Sequence, residues 1–293
     1  MVLVIAGDGT AKLAHEIAKR LQATVAGVEA KTFPDGEEYV RIEADVQGHD
    51  VVVVQTTYPP PRLMRLLLTL NACKENGARR IHAVIPYLAY ARQDRLFKPG
   101  ESLSSRVVAE MIALNAHDVV TIDAHKDDIR AFFRIPITNV SAEKPVADEL
   151  KRQRIEVVLA PDAGAMPRAR AVAQRIGAQF DYLEKKRISS DVVEMTPKNL
   201  DVRGKSVCIL DDIISTGGTM AKALEQLKRN GAREVVAGCV HGLFIGDAAD
   251  KLKRAGAKDV FSTNTIESPF NRVSVADVIV HALALKASTP GAR

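Results

Sequence analysis

The stretch "ILDDIISTGGTM" (residues 209–220) carries an apolar run directly into two adjacent acids and then into Ser-Thr-Gly-Gly-Thr. The run begins upstream with "KSVC", and "GTMAKALEQLKRNGA" follows with helical spacing. The reading is strand, glycine turn, helix. Gly217 and Gly218 let the backbone turn its N–H groups inward as a nest. The start of the helix adds its positive end, and Ser215, Thr216 and Thr219 add hydroxyls. Such a cradle for an anion lies at the carboxyl end of a strand, where open α/β sheets bind ligands. It lacks the GK[ST] of a P-loop and the spacing of GxGxxG.

The same alternation extends in both directions. "VLVIAG", "DVVVVQT", "RIHAVIPYL" and "DVVTIDAH" read as strands in the first half, with "AKLAHEIAKRL", "RLMRLLLTLNACKENGA" and "SLSSRVVAEMIALNA" as helices between them. "EVVLAPD", "KSVCILDD", "REVVAGCVHGLF" and "KDVFSTNT" repeat the scheme in the second half. Strands this apolar, separated by helices, predict mainly parallel sheets covered on both faces. "ENGARRIHAVIPYLAY" (75–90) echoes "RNGAREVVAGCVHGLF" (229–244), which predicts two copies of one α/β unit. The predicted boundary falls near "TNVSAEKPVADELK", giving domains 1–143 and 144–293. Only the second half carries the acids and glycines. The first has "QTTYPPPRL" in their place, so the two halves have different tasks.

Composition narrows the class. The 293 residues are 46% hydrophobic, 26% charged and 4% aromatic, the profile of a soluble α/β protein. No apolar run approaches the ~18 residues that span a bilayer, and "MVLVIAGDGT" reads as a first strand rather than a leader. Cys73, Cys208 and Cys239 are scattered and odd in number, as expected of reduced core residues in a cytoplasmic protein. The net charge of +5 suits phosphorylated ligands. No RNA or DNA module accompanies it.

Two carboxylates beside an anion cradle fit a ligand with a phosphate at one end and hydroxyls next to it. Asp211 and Asp212 can accept hydrogen bonds from neutral hydroxyls or hold Mg²⁺. A sugar phosphate meets both demands. Four further stretches lie at strand ends or turns. "KTFPDGEEYVRI" (31–42) holds a Pro-Asp-Gly turn. "PYLAYARQDR" (86–95) ends a strand with four polar residues. "TIDAHKDDIRAFF" (121–133) sets Asp123 and His125 two apart on a predicted strand, hence on one face, where they can share a metal. "LAPDAGAMPRAR" (159–170) puts Asp162 at another strand end.

"CILDDIISTGGT" resembles the ribose-5-phosphate loop of the type I phosphoribosyltransferase-like fold. Alone it would fit a phosphoribosyltransferase or a ribose-phosphate pyrophosphokinase. The other stretches, in this order and over nearly the whole chain, resemble the ribose-phosphate pyrophosphokinase (PRPP synthetase) family, in a short, archaeal-like form. The resemblance implies an α/β fold of two tandem phosphoribosyltransferase-like domains, each a mainly parallel sheet flanked by helices. It implies transfer of a diphosphoryl group from MgATP to ribose 5-phosphate. Phe33, Asp35, Gly36 and Glu37 look like the adenine-binding loop, which in this family reaches a neighbouring subunit of a homo-oligomer. Arg92, Gln93 and Asp94 look like ATP contacts, and His125 and Asp162 like partners of the Mg²⁺ on ATP. Asp211, Asp212, Ser215, Thr216, Gly217, Gly218 and Thr219 match the ribose 5-phosphate site. "EKKRISSDVVE" (184–194) matches the mobile catalytic loop, with Lys185 and Arg187 as its basic pair, Arg187 also facing the sugar phosphate. Lys186 lies between them and is expected to point elsewhere. Ser215 stands where many bacterial and eukaryotic members have Asp, and this exchanges a charge for a hydroxyl. Two alternatives have their own signatures. A phosphoribosyltransferase would lack the first half, and a non-catalytic regulatory subunit would have lost Lys185, Arg187, His125 or Asp162.

Overall fold

A computed structural model of the chain describes residues 2–125, 127–187 and 193–287. It divides into two compact units, one formed by the chain through Ser141 together with the stretch from Val275, the other by Ala142–Ser274.

In the first unit, β1 (Val2–Ala6), β2 (Thr24–Ala26), β5 (Asp50–Val54), β6 (Arg80–Ile85), β7 (Asp118–Ile122) and β8 (Ile137–Val140) make a six-stranded sheet in the order β2-β1-β5-β6-β7-β8. Every pairing in it is parallel. Val51–Val54 are all buried, as a strand covered on both faces requires. The covering helices include α1 (Ala11–Leu21), α2 (Pro60–Glu75) and α3 (Ser104–Ala113). Helix α1 buries Leu13, Ala14, Ile17 and Ala18 along one stripe and ends in Lys19 and Arg20, which suit the negative end of a helix. The strands β3 (Val28–Thr32) and β4 (Glu38–Ile42) leave this sheet as a separate antiparallel hairpin.

The second unit holds β9 (Val157–Ala160), β10 (Gln179–Arg187), β11 (Val193–Pro197), β12 (Ser206–Ile214), β13 (Glu234–Gly242), β14 (Asp259–Thr263) and β15 (Asn271–Val273). Their order is β11-β10-β9-β12-β13-β14-β15, and only β11 is antiparallel. The helices are α4 (Glu143–Arg152), α5 (Met166–Ile176), α6 (Gly218–Arg229) and α7 (Ala248–Arg254). Met220, Ala223, Leu224 and Leu227 of α6 pack with Leu252 of α7 on Val207, Ile209 and Ala237.

The expectation of a single cut at 143/144 needs a correction. The last helix, α8 (Ala276–Ala287), belongs to the first unit. It lies along α1, β7 and β8, and Asp277 in its first turn pairs with Arg20 in the last turn of α1. An apolar helix must bury its face, but its sequence does not say against which sheet.

The internal echo is structural. Asn76 and Asn230 follow α2 and α6, and Gly77 and Gly231 come next at φ 79° and 83°. Ala78 N–H donates to the Cys73 carbonyl, and Ala232 N–H to that of Leu227, at 3.0 and 3.1 Å. Gly48 N–H donates to Gly77 O and Gly204 N–H to Gly231 O, at 2.8 and 2.9 Å. Ahead of each of these glycines, an acid caps its own turn: Asp45 accepts from Gln47 N–H at 2.9 Å, and Asp201 from Arg203 N–H at 3.0 Å. The second element of the repeat, "DVQG" at 45–48 and "DVRG" at 201–204, is a signal that the 75–90 echo alone did not include.

Candidate active site

Strand β12 runs through both acids to Ile214, two residues beyond its predicted end. Asp211 is opposite Cys239, Ile213 opposite His241 and Ile214 opposite Gly242. The carboxyl groups of Asp211 and Asp212 lie within contact of each other. The Asp212 N–H donates to Asp211 Oδ1 at 2.8 Å. Burial pushes the Asp211 carboxyl up to about 7; the charge of Asp212 adds to this, and that of Asp162 contributes further. Asp162 follows the end of β9, the neighbour of β12. Its Oδ1 accepts from Ala165 N–H at 3.1 Å, fixing the start of α5. Thus Asp162, Asp211 and Asp212 gather at the carboxyl ends of adjacent strands.

The turn that follows is open. Gly217 has φ 72° and precedes α6, whose first turn has no side-chain cap. The N–H of Ala221 returns to Gly217 O at 2.8 Å. Those of Thr216, Gly217, Gly218 and Thr219 have no hydrogen-bond partner among the described residues. A Cβ on Gly217 would lie 3.2 Å from the Ala248 carbonyl, so glycine is required there twice over. Nothing stands within 4 Å of a Cβ built on Gly218. From the far side, Ile245 N–H holds the Ser215 carbonyl at 3.0 Å. Ser215 through Thr219 thus form a nest of unspent donors next to two acids.

In the first unit, the Phe33–Glu37 stretch is the tip of the β3–β4 hairpin. Phe33 N–H donates to Glu37 O at 2.8 Å, Gly36 N–H to Phe33 O at 2.9 Å, and Glu37 N–H to Asp35 Oδ1 at 3.1 Å. Gly36 takes φ 92°, where a side chain would be strained. Phe33 is exposed and meets the Tyr39 ring edge-on at 6.1 Å, with Lys31 Nζ 4.8 Å from its centre. Arg92, Gln93 and Asp94 lie in the long connection after β6. Arg92 is exposed; Gln93 and Asp94 are half-buried.

His125 follows the neighbouring strand, β7, and is exposed. Here the strand expectation is corrected: β7 ends at Ile122, and Asp123 turns to φ 39°. Asp123 and His125 therefore do not share a strand face. The hydrogen bond from Asp123 N–H to Val140 O, on β8, marks where the chain leaves the ladder.

The basic pair of the expected catalytic loop lies on a strand. Lys185, Lys186 and Arg187 belong to β10, with backbone opposite Met195, Glu194 and Val193 of β11. Residues 188–192 of the expected loop are outside the described residues. Two residues escaped the sequence reading. Arg65 of α2 clamps the β3–β4 hairpin, and Glu101 closes the loop that contains Gln93. Both are single charges in unremarkable surroundings, and only the fold brings them to the site.

A family profile described as the N-terminal domain of ribose phosphate pyrophosphokinase matches residues 2–115, and one described as a phosphoribosyl transferase domain matches 127–277. A ribose-phosphate pyrophosphokinase from Methanopyrus kandleri is 42% identical, the match covering 96% of this chain and 98% of that protein. One from Pyrococcus furiosus is also 42% identical, over 96% of this chain and 100% of its own. The crystal structure of phosphoribosylpyrophosphate synthetase from Mycobacterium smegmatis superimposes with a TM-score of 0.86 at 30% identity, covering 98% of each chain. Matched end to end in sequence and in both units, the chain belongs to the ribose-phosphate pyrophosphokinase family.

Proposed function

We propose that the protein transfers the β,γ-diphosphoryl group of MgATP to the 1-hydroxyl of ribose 5-phosphate, giving PRPP and AMP for nucleotide synthesis. The observation that carries this reading is the open nest Ser215–Thr219 directly after Asp211 and Asp212, in a chain aligned end to end with the family. The nest takes the 5-phosphate, and the two carboxylates take the ribose hydroxyls. A phosphoribosyltransferase would use the same nest, but the match of residues 2–115 to a pyrophosphokinase domain speaks against it.

Phosphoryl transfer asks for in-line placement and charge stabilisation more than covalent work. Arg92, Gln93 and Asp94 bind ATP, and Phe33 with Asp35, Gly36 and Glu37 takes the adenine. Lys185 and Arg187 supply cations to the transferring group, Arg187 also meeting the sugar phosphate. Mg²⁺, when bound, neutralises phosphate charge. Asp162 offers it a hard oxygen ligand, in keeping with the raised Asp211 carboxyl that a nearby cation would relieve; His125 is its second candidate partner. The exposed, pre-formed Phe33 tip supports a homo-oligomer in which this turn serves a neighbouring subunit's nucleotide. Three buried, unpaired cysteines support a cytoplasmic setting. No helix among the described residues is long and apolar enough to cross a membrane.

The test is to incubate the purified protein with ATP, Mg²⁺ and ribose 5-phosphate and to separate the products. Sugar-dependent AMP, equal in amount to PRPP and lost in Lys185→Ala, is the expected result. ADP in place of AMP would reject diphosphoryl transfer.

A further inference from the structure

One carboxylate closes the loop that bears Arg92 and Gln93. Oε2 of Glu101 accepts from Phe97 N–H at 2.7 Å, from Lys98 N–H at 3.0 Å and from Gln93 Nε2 at 3.1 Å. These two backbone N–H groups hold the Glu101 carboxyl below its usual value, so it is ionised when it binds Gln93. Gln93 Nε2 also lies 3.3 Å from the Arg95 carbonyl. Both neighbours of that nitrogen are acceptors, which settles the orientation of the amide. The NH₂ faces into the loop, and Oε1 is the polar atom left over. The backbone is pinned as well: the Ser105 hydroxyl sits 2.8 Å from both the Tyr90 and the Gln93 carbonyls.

We propose that Glu101 is a positioning residue for the nucleotide, acting through Gln93. It spends the amide hydrogens of Gln93 inside the loop, so Gln93 offers ATP only the acceptor Oε1. The group on the nucleotide that meets it is a donor, a hydroxyl or an amine. A glutamine without Glu101 could turn either end outward, and part of the population would present the wrong one. This inference rests on the reading of Arg92 and Gln93 as ATP contacts.

The test is a double-mutant cycle in steady-state kinetics: wild type, Glu101→Ala, Gln93→Ala and the pair, with Glu101→Gln as the conservative variant. Glu101→Ala is expected to raise KM for MgATP about tenfold, the scale of one lost charge-assisted hydrogen bond. KM for ribose 5-phosphate should stay within about twofold and Tm within about 2 °C. Glu101→Gln, which keeps an acceptor oxygen, should recover most of the loss. In the Gln93→Ala background, removing Glu101 should add nothing. Persistence of the full Glu101→Ala effect in that background would overturn the proposal, as would an equal rise in both KM values. An unchanged KM for MgATP in Gln93→Ala would remove the ATP-site reading itself and the proposal with it.

Discussion

Arg65 Nε donates to Glu38 Oε2 at 2.6 Å, and the other arms of the same guanidinium reach Asp8 at 2.8 Å and Thr32 at 2.9 Å. Thr32 and Glu38 are the two residues that flank the Phe33–Glu37 turn. One side chain of α2 therefore sets the base of the hairpin that presents Phe33. It also holds the Glu38 carboxyl below its ordinary value. Replacing Arg65 with Ala should lower Tm by about 3–6 °C. It should raise KM for ATP several-fold while leaving that for ribose 5-phosphate nearly unchanged. Thermal melts and kinetics on the same preparation check this.

The Asp211 carboxyl, pushed up to about 7, makes a pH prediction. Between about pH 4 and pH 7 the folded chain keeps a proton that an unfolded Asp has lost. Ligand-free stability should therefore fall as pH rises through this window and level off above it. Asp211→Asn removes the effect, so its Tm should exceed that of wild type at pH 8 and differ less at pH 5. On the proposed reading, in which this carboxylate takes the ribose hydroxyls, the variant's activity should drop by orders of magnitude. Melting curves of both proteins at the two pH values decide the matter.

The two glycines of the nest should respond differently. Gly217→Ala meets a positive φ and a carbonyl 3.2 Å away, and should cost about 1–3 kcal/mol of stability as well as sugar-phosphate affinity. Gly218→Ala has free space in the ligand-free chain and should leave Tm within about 1 °C. If the phosphate sits in that space, KM for ribose 5-phosphate will still rise about tenfold or more. An unchanged KM in Gly218→Ala would place the phosphate elsewhere.

All three cysteines are buried, and burial pushes the Cys73 thiol up to about 12 and those of Cys208 and Cys239 higher still. Thiolates are the reactive form. A disulfide reagent at pH 8 should therefore modify none of them in the native protein and all three in denaturant. Rapid native labelling with loss of activity would contradict this packing.

Much of this architecture could be read from residue order. The Val51–Val54 run, the helix Ala11–Leu21 and the Asp-Asp to Gly-Gly turn each carry a local signal strong enough to stand alone. What could not be read depends on contacts distant in sequence. Strand β12 continues to Ile214, beyond both acids, because β13 extends alongside it. Helix α8 returns to the first unit through partners such as Arg20, more than 250 residues away in the chain. Strand β3 offers almost no burial signal, since only Val28 of it is partly buried, and β4, which packs on α2, alternates between partly buried and exposed residues. Arg65 and Glu101 gain their roles only when folding assembles their partners.

The central claim is that two phosphoryl groups move together. The most direct measurement uses ATP carrying ¹⁸O labels on the β and γ phosphoryl oxygens, with ribose 5-phosphate and Mg²⁺, and follows both by their isotope shifts in ³¹P NMR. Diphosphoryl transfer puts both labels, in equal amount and still bonded to each other, on C1 of the sugar, with unlabelled AMP as the other product. The γ label alone on the sugar, with the β label left in ADP, would contradict it.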